Sequence, residues 1–337
     1  MTAAMKKRVI WAAVIVDTVL IAGIAAVAFS MSAAYQGYEA PVVVQIEPGT
    51  SSRVIAAELE SLGVVRSRWL FLAARAVQLR SKLMAGEYRF EQPMSVWEVY
   101  DHIESGAVVQ HPITVPEGRT RFEIAALVEE RGFATREEFL AECKKTDRIA
   151  DLAPGAKDLE GFLFPETYQL TRPFSAAKLV DMMAARFRGV FKELSAGSSL
   201  DLSPYETVTL ASMIERETGV GSERELISSV FHNRLERGML LQCDPTVIYG
   251  MMTENRYAGR LTRDDLAAPH PYNTYLHAGL PPGPIANPGR AALEAALGPA
   301  QTNYLYFVAA ADGGGGHVFS ESLQAHNRAV VAYRRGR

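Results

Sequence analysis

Residues Ser203–Gly219 read "SPYETVTLASMIERETG", and the rest of the chain is best understood outward from this stretch. Ser203, Pro204 and Glu206 supply a helix cap, a first-turn proline and the reciprocal acid three residues after the cap. The apolar run that follows presents Leu210, Met213 and Ile214 to a core and then places two carboxylates, Glu215 and Glu217, one residue apart. Side chains two apart on a helix point about 200° away from each other, so these acids cannot serve one site as a pair. Gly219 breaks the helix. Ser222 with Glu225 predicts a second capping box, and Leu226, Val230 and Leu235 form an apolar stripe that Gly238 terminates. The expectation is two consecutive helices meeting at a turn beside Glu215 and Glu217. The helix alone leaves open whether both acids are solvated or one does chemistry.

The N-terminus narrows the setting. "VIWAAVIVDTVLIAGIAAVAF", Val9 to Phe29, is long enough to cross a bilayer as a helix, and Lys6, Lys7 and Arg8 before it assign the N-terminus to the cytoplasm. Asp17 costs on the order of 3 kcal/mol at the centre of such a span, which the Val, Ile and Leu residues outweigh at roughly 0.3 to 0.6 kcal/mol each. The small residues of "SMSAA" would suit a cleaved signal peptide, but the apolar stretch is longer than the usual 7 to 15 residues, so an anchor is the preferred reading. The expected localisation is the inner (plasma) membrane, single-pass, with the large outer part extracytoplasmic.

With 337 residues, 48% hydrophobic and 22% charged, the outer part has material for one large or two modest cores. The net charge of −3 and the lack of a basic stripe argue against nucleic acid as a partner. Two cysteines, Cys143 and Cys243, are too few for a disulfide scaffold, and their separation argues against a bridge between them. No His-Glu-x-x-His or Gly-x-Ser-x-Gly pattern occurs; no metal and no cofactor is implied.

The segment "VVVQIEPGTSSRVIAAELESLGVV" reads strand, turn, helix, with Ser51 or Ser52 as cap and Gly63 as stop. A second helix in "SRWLFLAARAVQL", a strand in "AGEYRF" and a capped helix in "SVWEVYDHIESG" follow. "TVPEGRTRFEIAALVEERGFA" repeats the first motif at a constant offset: Gly49 matches Gly118, Ile55 to Ala57 match Ile124 to Ala126, and Gly63 matches Gly132. Near the C-terminus, "YLYFVAAADGGGGHVFS" predicts a hairpin and "SLQAHNRAVVAYRR" a closing helix. The fold class is α+β: a cytoplasmic tail (1–8), a transmembrane anchor (9–31), a small α/β module (41–112) and a larger mixed α+β catalytic domain (113–337). The strand-helix-helix-strand order of the small module resembles LysM, which implies binding of N-acetylglucosamine polymers.

Aromatic faces and amides hold sugars, and Gln242, Tyr249, Asn273, Tyr275 and Asn287 are of those types, although each by itself suits ordinary loop packing. In "DLEGFLFPETY", residues 158–168, Glu160 and Glu166 flank Phe162 and Phe164; this segment reads either as one wall of a cleft or as a turn with its phenylalanines in the core. Asp244 before Pro245 is a turn former or a second carboxylate for a site.

"LASMIERETG", "SERELISSVFHNRLERGMLLQCDPTVIYG", "NTYLHAGLPPGPIANPG" and "LEGFLFPETY", with an anchor and a LysM-like module in front, resemble the MltG (YceG-like) family of endolytic murein transglycosylases. The resemblance implies that Glu215 is the catalytic acid and Glu217 its supporting or outward partner. By residue type and neighbourhood, Glu160, Glu166, Glu217, Gln242, Asp244, Tyr249, Asn273 and Tyr275 are the candidate substrate contacts. The resemblance also implies peptidoglycan glycan strands as substrate, with peptidoglycan synthases as possible neighbours. Asp17 and Cys243 depart from the family pattern. Two alternatives stand beside it: a non-catalytic peptidoglycan-binding scaffold, and a hydrolase using Asp244 or Glu160 as second carboxylate.

Overall fold

The computed structural model describes residues 3–78, 81–197, 201–311 and 315–335, which divide into two compact units. The first comprises residues 1–111 with 169–173, the second residues 112–168 with 174–337.

The first unit begins with α1 (Ala3–Ser32), which contains a 23-residue apolar stretch, Ile10–Ser32, of mean hydropathy 2.4, long enough to cross a membrane. β1 (Val42–Ile46), α2 (Ser52–Ser61), α3 (Arg68–Val77), β2 (Gly86–Phe90) and α4 (Val96–Glu104) follow. β1 and β2 pair antiparallel with Val44 opposite Tyr88. Alternation puts Val44, Ile46, Tyr88 and Phe90 on the buried face, where they meet Ile55 and Leu59 of α2, Phe71 of α3 and Ile103 of α4. Met31, at the end of α1, belongs to the same cluster. The helix starts follow the sequence: Ser51, Ser67 and Ser95 are the caps, and Ser95 closes its box with Glu98.

The chain continues through β3 (His111–Thr114) and β4 (Thr167–Leu170), of which His111, Gln169 and Leu170 fall in the first unit, and, within the second unit, through α5 (Arg121–Glu130), α6 (Arg136–Cys143), α7 (Ala176–Ser195), α8 (Pro204–Glu217) and α9 (Arg224–Glu236). Then come α10 (Asp244–Thr253), α11 (Arg263–Ala267), α12 (Arg290–Leu297), the strands β5 (Tyr306–Ala309) and β6 (His317–Ser320), and α13 (Leu323–Arg335). The expected hairpin is present: β5 and β6 pair antiparallel, although residues 312–314 at its tip lie outside the described residues. The internal repeat extends to structure. Gly49 and Gly118 both have positive φ, Ser51 and Thr120 both cap the following helix, and Gly63 and Gly132 both leave it with positive φ.

α8 is the core of this unit, with every residue from Thr207 to Ile214 buried; α9 and α12 pack against it. Its buried hydroxyls are satisfied locally: Thr207 donates to the Ser203 carbonyl at 2.9 Å, Thr209 to Tyr205 at 2.8 Å and Ser212 to Thr209 at 2.7 Å. The Ser212 hydroxyl in turn accepts the N–H of Ile285 at 3.0 Å, tying the loop before α12 to the middle of α8. One expected start is displaced. Ser222 does not cap α9; a 3₁₀ turn (Gly221–Glu223) intervenes and α9 begins at Arg224 with no side-chain cap. The turn turns Glu223 toward β6, where its carboxylate holds the N–H and the ring of His317, each at 2.7 Å.

The capping box of α8, in which Ser203 and Glu206 satisfy each other's backbone N–H groups, anchors the helix that carries the acids. Ser203→Ala should lower unfolding stability by about 1 kcal/mol, read as an earlier urea midpoint with unchanged slope.

Candidate active site

The end of α8 presents its two acids to different neighbours. Glu215, whose side chain is 7% exposed, accepts the N–H of Gly289 at 3.1 Å and faces the Arg224 guanidinium at 3.5 Å. Glu217 lies against the Cys243 thiol, with Asp244, His317 and Arg234 around it. The divergence expected from helical spacing is present, and both carboxyls are nonetheless drawn into the protein.

Two paired loops frame Glu215. Gly118 N–H donates to the Asn287 carbonyl, and Asn287 N–H donates to the Arg119 carbonyl, both at 2.9 Å. Arg216, the next residue of α8, reaches the Gly118 carbonyl at 3.0 Å. Gly118 has φ +73°, and a Cβ there would stand 3.4 Å from Glu215 Cγ. Gly289 caps α12, so the partly positive end of that helix faces the Glu215 carboxylate. The same glycine abuts Glu117, whose Oε1 would lie 2.0 Å from an added Cβ. Glu117 itself is exposed to solvent.

These neighbours set the proton affinity of Glu215. Burial raises its pKa above the ordinary carboxylate value, and the nearby Glu117 acts in the same direction. The Gly289 N–H and the Arg224 guanidinium pull it down without cancelling the rise. The carboxyl is therefore biased toward protonation while keeping a donor and a cation ready for its charged form. Burial also raises Glu217, and it raises the Cys243 thiol well above its usual value, with Glu217 adding to the effect. That thiol is a packing group rather than a nucleophile.

Glu160 is buried in a second polar cluster. It accepts the backbone N–H of Arg121 at 2.9 and 3.1 Å, the Arg121 guanidinium at 3.2 Å, the Tyr249 hydroxyl at 3.0 Å and the Asn287 amide at 2.9 Å. Burial pushes its pKa up to about 7, against the pull of Arg121. Asn287 spends its remaining groups on the Arg119 carbonyl and the Leu163 N–H, each at 2.9 Å. It thereby links Glu160 to the loops around Glu215. A cavity of about 300 Å³ opens beside this cluster, walled by Asp158, Tyr205, Tyr249, His270 and Tyr272. Another cavity, about 410 Å³ between Phe191, Leu202, Pro204 and Leu297, contains none of the candidate residues.

The other candidates scatter. Glu166 is exposed and forks with Arg186 at 2.8 and 3.0 Å, on a segment whose Phe162 and Phe164 are in the core. Gln242 is exposed with φ +53°. Asp244, also exposed, accepts the Tyr275 hydroxyl at 2.5 Å. Asn273 is fully buried and spends its amide N–H groups on the Leu266 and Ala268 carbonyls, at 3.0 and 2.9 Å, so it clamps its own loop. Tyr249 points its hydroxyl inward to Glu160 and Arg121. Glu117, Arg224 and Gly289 escaped the sequence reading because nothing local marks them. Cys143 and Cys243 are free, buried thiols.

Residues 44–332 match the model of the YceG-like family. The chain belongs to the YceG-like family. An endolytic murein transglycosylase of Bacillus subtilis is 33% identical over 311 residues, 87% of this chain and 84% of that protein. One of Streptococcus pneumoniae (serotype 2, strain D39) is 30% identical over 321 residues, of whose length the match takes in 58%. The crystal structure of a yceG-like protein from Listeria monocytogenes superposes with a TM-score of 0.57 at 29% identity, covering 86% of this chain and 99% of that one. The fold described above is thus shared over 86% of this YceG-like chain.

Since Arg224 holds the Glu215 pKa down, Arg224→Gln should raise it further. A carbon-detected NMR titration of the Glu215 carboxyl should show a midpoint above the ordinary glutamate range in the wild type and a higher one in the variant. An unmoved midpoint would remove Arg224 from the site.

Proposed function

We propose that this chain is a membrane-anchored endolytic peptidoglycan lytic transglycosylase, cleaving the bond between N-acetylmuramic acid and N-acetylglucosamine within glycan strands and leaving 1,6-anhydro ends. The observation that carries the reading is Glu215: one largely buried carboxyl with raised proton affinity, held by the Gly289 N–H and facing Arg224. The names of the relatives from Bacillus and Streptococcus support the same chemistry.

Glu215, protonated, donates to the glycosidic oxygen. As carboxylate, stabilised by the Gly289 N–H and Arg224, it then takes the proton of the muramic acid C6 hydroxyl as that oxygen closes onto C1. The nucleophile is already part of the sugar, so its effective concentration is high and no second carboxylate need activate water. The β1-α2-α3-β2 module, LysM-like in order, would grip the strand, and α1 would hold the enzyme, with its N-terminus cytoplasmic, where nascent strands emerge from peptidoglycan synthases.

The position of Glu117 favours one second reading. A glycoside hydrolase needs a second carboxylate across the scissile bond, and Glu117 shares Gly289 with Glu215 as its neighbour. Asp244 is engaged by Tyr275, and Glu160 faces inward.

Mass spectrometry of peptidoglycan fragments decides between them. Wild type should yield internal fragments with 1,6-anhydro ends and Glu215→Gln none, a loss of at least about 10²-fold. Glu117→Gln should keep the anhydro ends, whereas reducing ends abolished by that variant would establish the hydrolase. Because Glu215 must be protonated to act, the rate should fall as pH rises through its elevated pKa. Glu117 raises that pKa, so Glu117→Gln should move the alkaline limb to lower pH.

A further inference from the structure

α3 carries two apolar faces. Phe71 and Ala74 are buried in the core of the first unit. At about 100° per residue, Trp69, Leu72, Ala73, Ala76 and Val77 fall on another face, and only Arg68 and Arg75 interrupt the apolar circumference. Trp69 is 72% and Val77 73% exposed, while Leu72 and Ala73 are half-buried. Leu72 and Ala73 still pack against the core of the first unit, so the protein leaves Trp69, Ala76 and Val77 as the uncovered apolar strip of this helix.

α1 packs on α3, as α2 and α4 do. Its C-terminal end packs on α3 and α4, and Met31 enters the cluster that contains Phe71. A few residues on, Tyr35 N–H donates to the Met94 carbonyl at 3.0 Å, and the Arg66 guanidinium stands 5.1 Å over the Tyr35 ring. No free linker separates the apolar span from the module. A hydrocarbon core about 30 Å thick takes about 20 helical residues, so a span starting at Ile10 emerges close to Phe29, leaving Met31 at headgroup depth. An element packed on the end of α1 is then at the same depth. Tryptophan and exposed aliphatic groups beside it are the side chains that favour the membrane interface.

We propose that the Trp69–Val77 face of α3 lies in the headgroup region of the bilayer that α1 spans, so that the β1-α2-α3-β2 module is seated on the lipid surface by two contacts, one helix through it and one along it. The inference rests on reading α1 as a membrane anchor.

The test uses the full chain in vesicles of phosphatidylethanolamine and phosphatidylglycerol, with Trp11→Phe to silence the tryptophan in α1. Subtracting the emission of the Trp11→Phe/Trp69→Phe variant isolates Trp69 from Trp97, and circular dichroism of both variants confirms the fold. Alkaline carbonate extraction in parallel reports whether α1 is inserted. With α1 inserted, Trp69 emission should be blue-shifted and quenched more by bromines near the headgroup end of the acyl chains than by deep ones. Inserted protein with unquenched, red-shifted Trp69 emission overturns the proposal by leaving the face in water. Blue-shifted but unquenched emission overturns it in favour of a protein partner or a second copy. Extraction of the chain by carbonate sinks the anchor reading itself, and the proposal with it.

Discussion

The carboxylate of Glu215 accepting the N–H of Gly289 joins the end of α8 to the beginning of α12. That bond exists because α8 is buried from Thr207 to Ile214 and so cannot turn Glu215, the next residue, away from the loop packed on it. The loop is fixed in turn by Ser212 at Ile285 and by the backbone pairing of Asn287 with residues 118 and 119. A small displacement of either loop would leave a largely buried carboxyl without its donor, which is costly, and this keeps the geometry narrow. Glycine is required for φ at Gly118, and a Cβ at Gly289 would displace the Glu117 carboxylate.

Around that contact the protein sets three carboxyls to different tasks by their surroundings. Glu215 has one N–H and a guanidinium at 3.5 Å, which leaves capacity for a reacting proton. Glu160 receives donors from Arg121, Tyr249 and Asn287 and has little left to offer a substrate; its role is to brace Asn287 and the first turn of α5. Glu217 is half-buried, with its carboxyl against the Cys243 thiol that precedes α10. The cation that shares the region, Arg234, is spent on the Leu241 and Leu305 carbonyls, at 2.8 and 2.7 Å.

The first unit makes a different use of the same local grammar. Its strand, glycine turn, capped helix and glycine exit recur at the start of the second unit, yet there Gly118 lies against Glu215, whereas a Cβ on Gly49 would meet nothing within 4 Å. The repeated motif thus supplies a stable turn in one copy and part of the candidate site in the other.

Local signals in the sequence were sufficient for the helices and their caps, because Ser203 with Glu206, Ser95 with Glu98 and the apolar periodicity act within one turn of the chain. The apolar N-terminal stretch and the motif run from Leu210 to Gly219 were equally local, and they sufficed to single out Glu215 through a family resemblance. The α9 start was missed because Glu223 is drawn to His317, a residue far along the chain. Residue type suggests a sugar groove but does not say which way a side chain points: Tyr249 and Asn273, like Glu160, face inward, where their hydrogen bonds are made. Sequence therefore determined the elements that are marked locally and pointed to Glu215 as the candidate acid. Tertiary structure alone decided the neighbours of that acid, Gly289, Arg224 and Glu117, since burial and charge at Glu215 depend on groups brought from three separate segments.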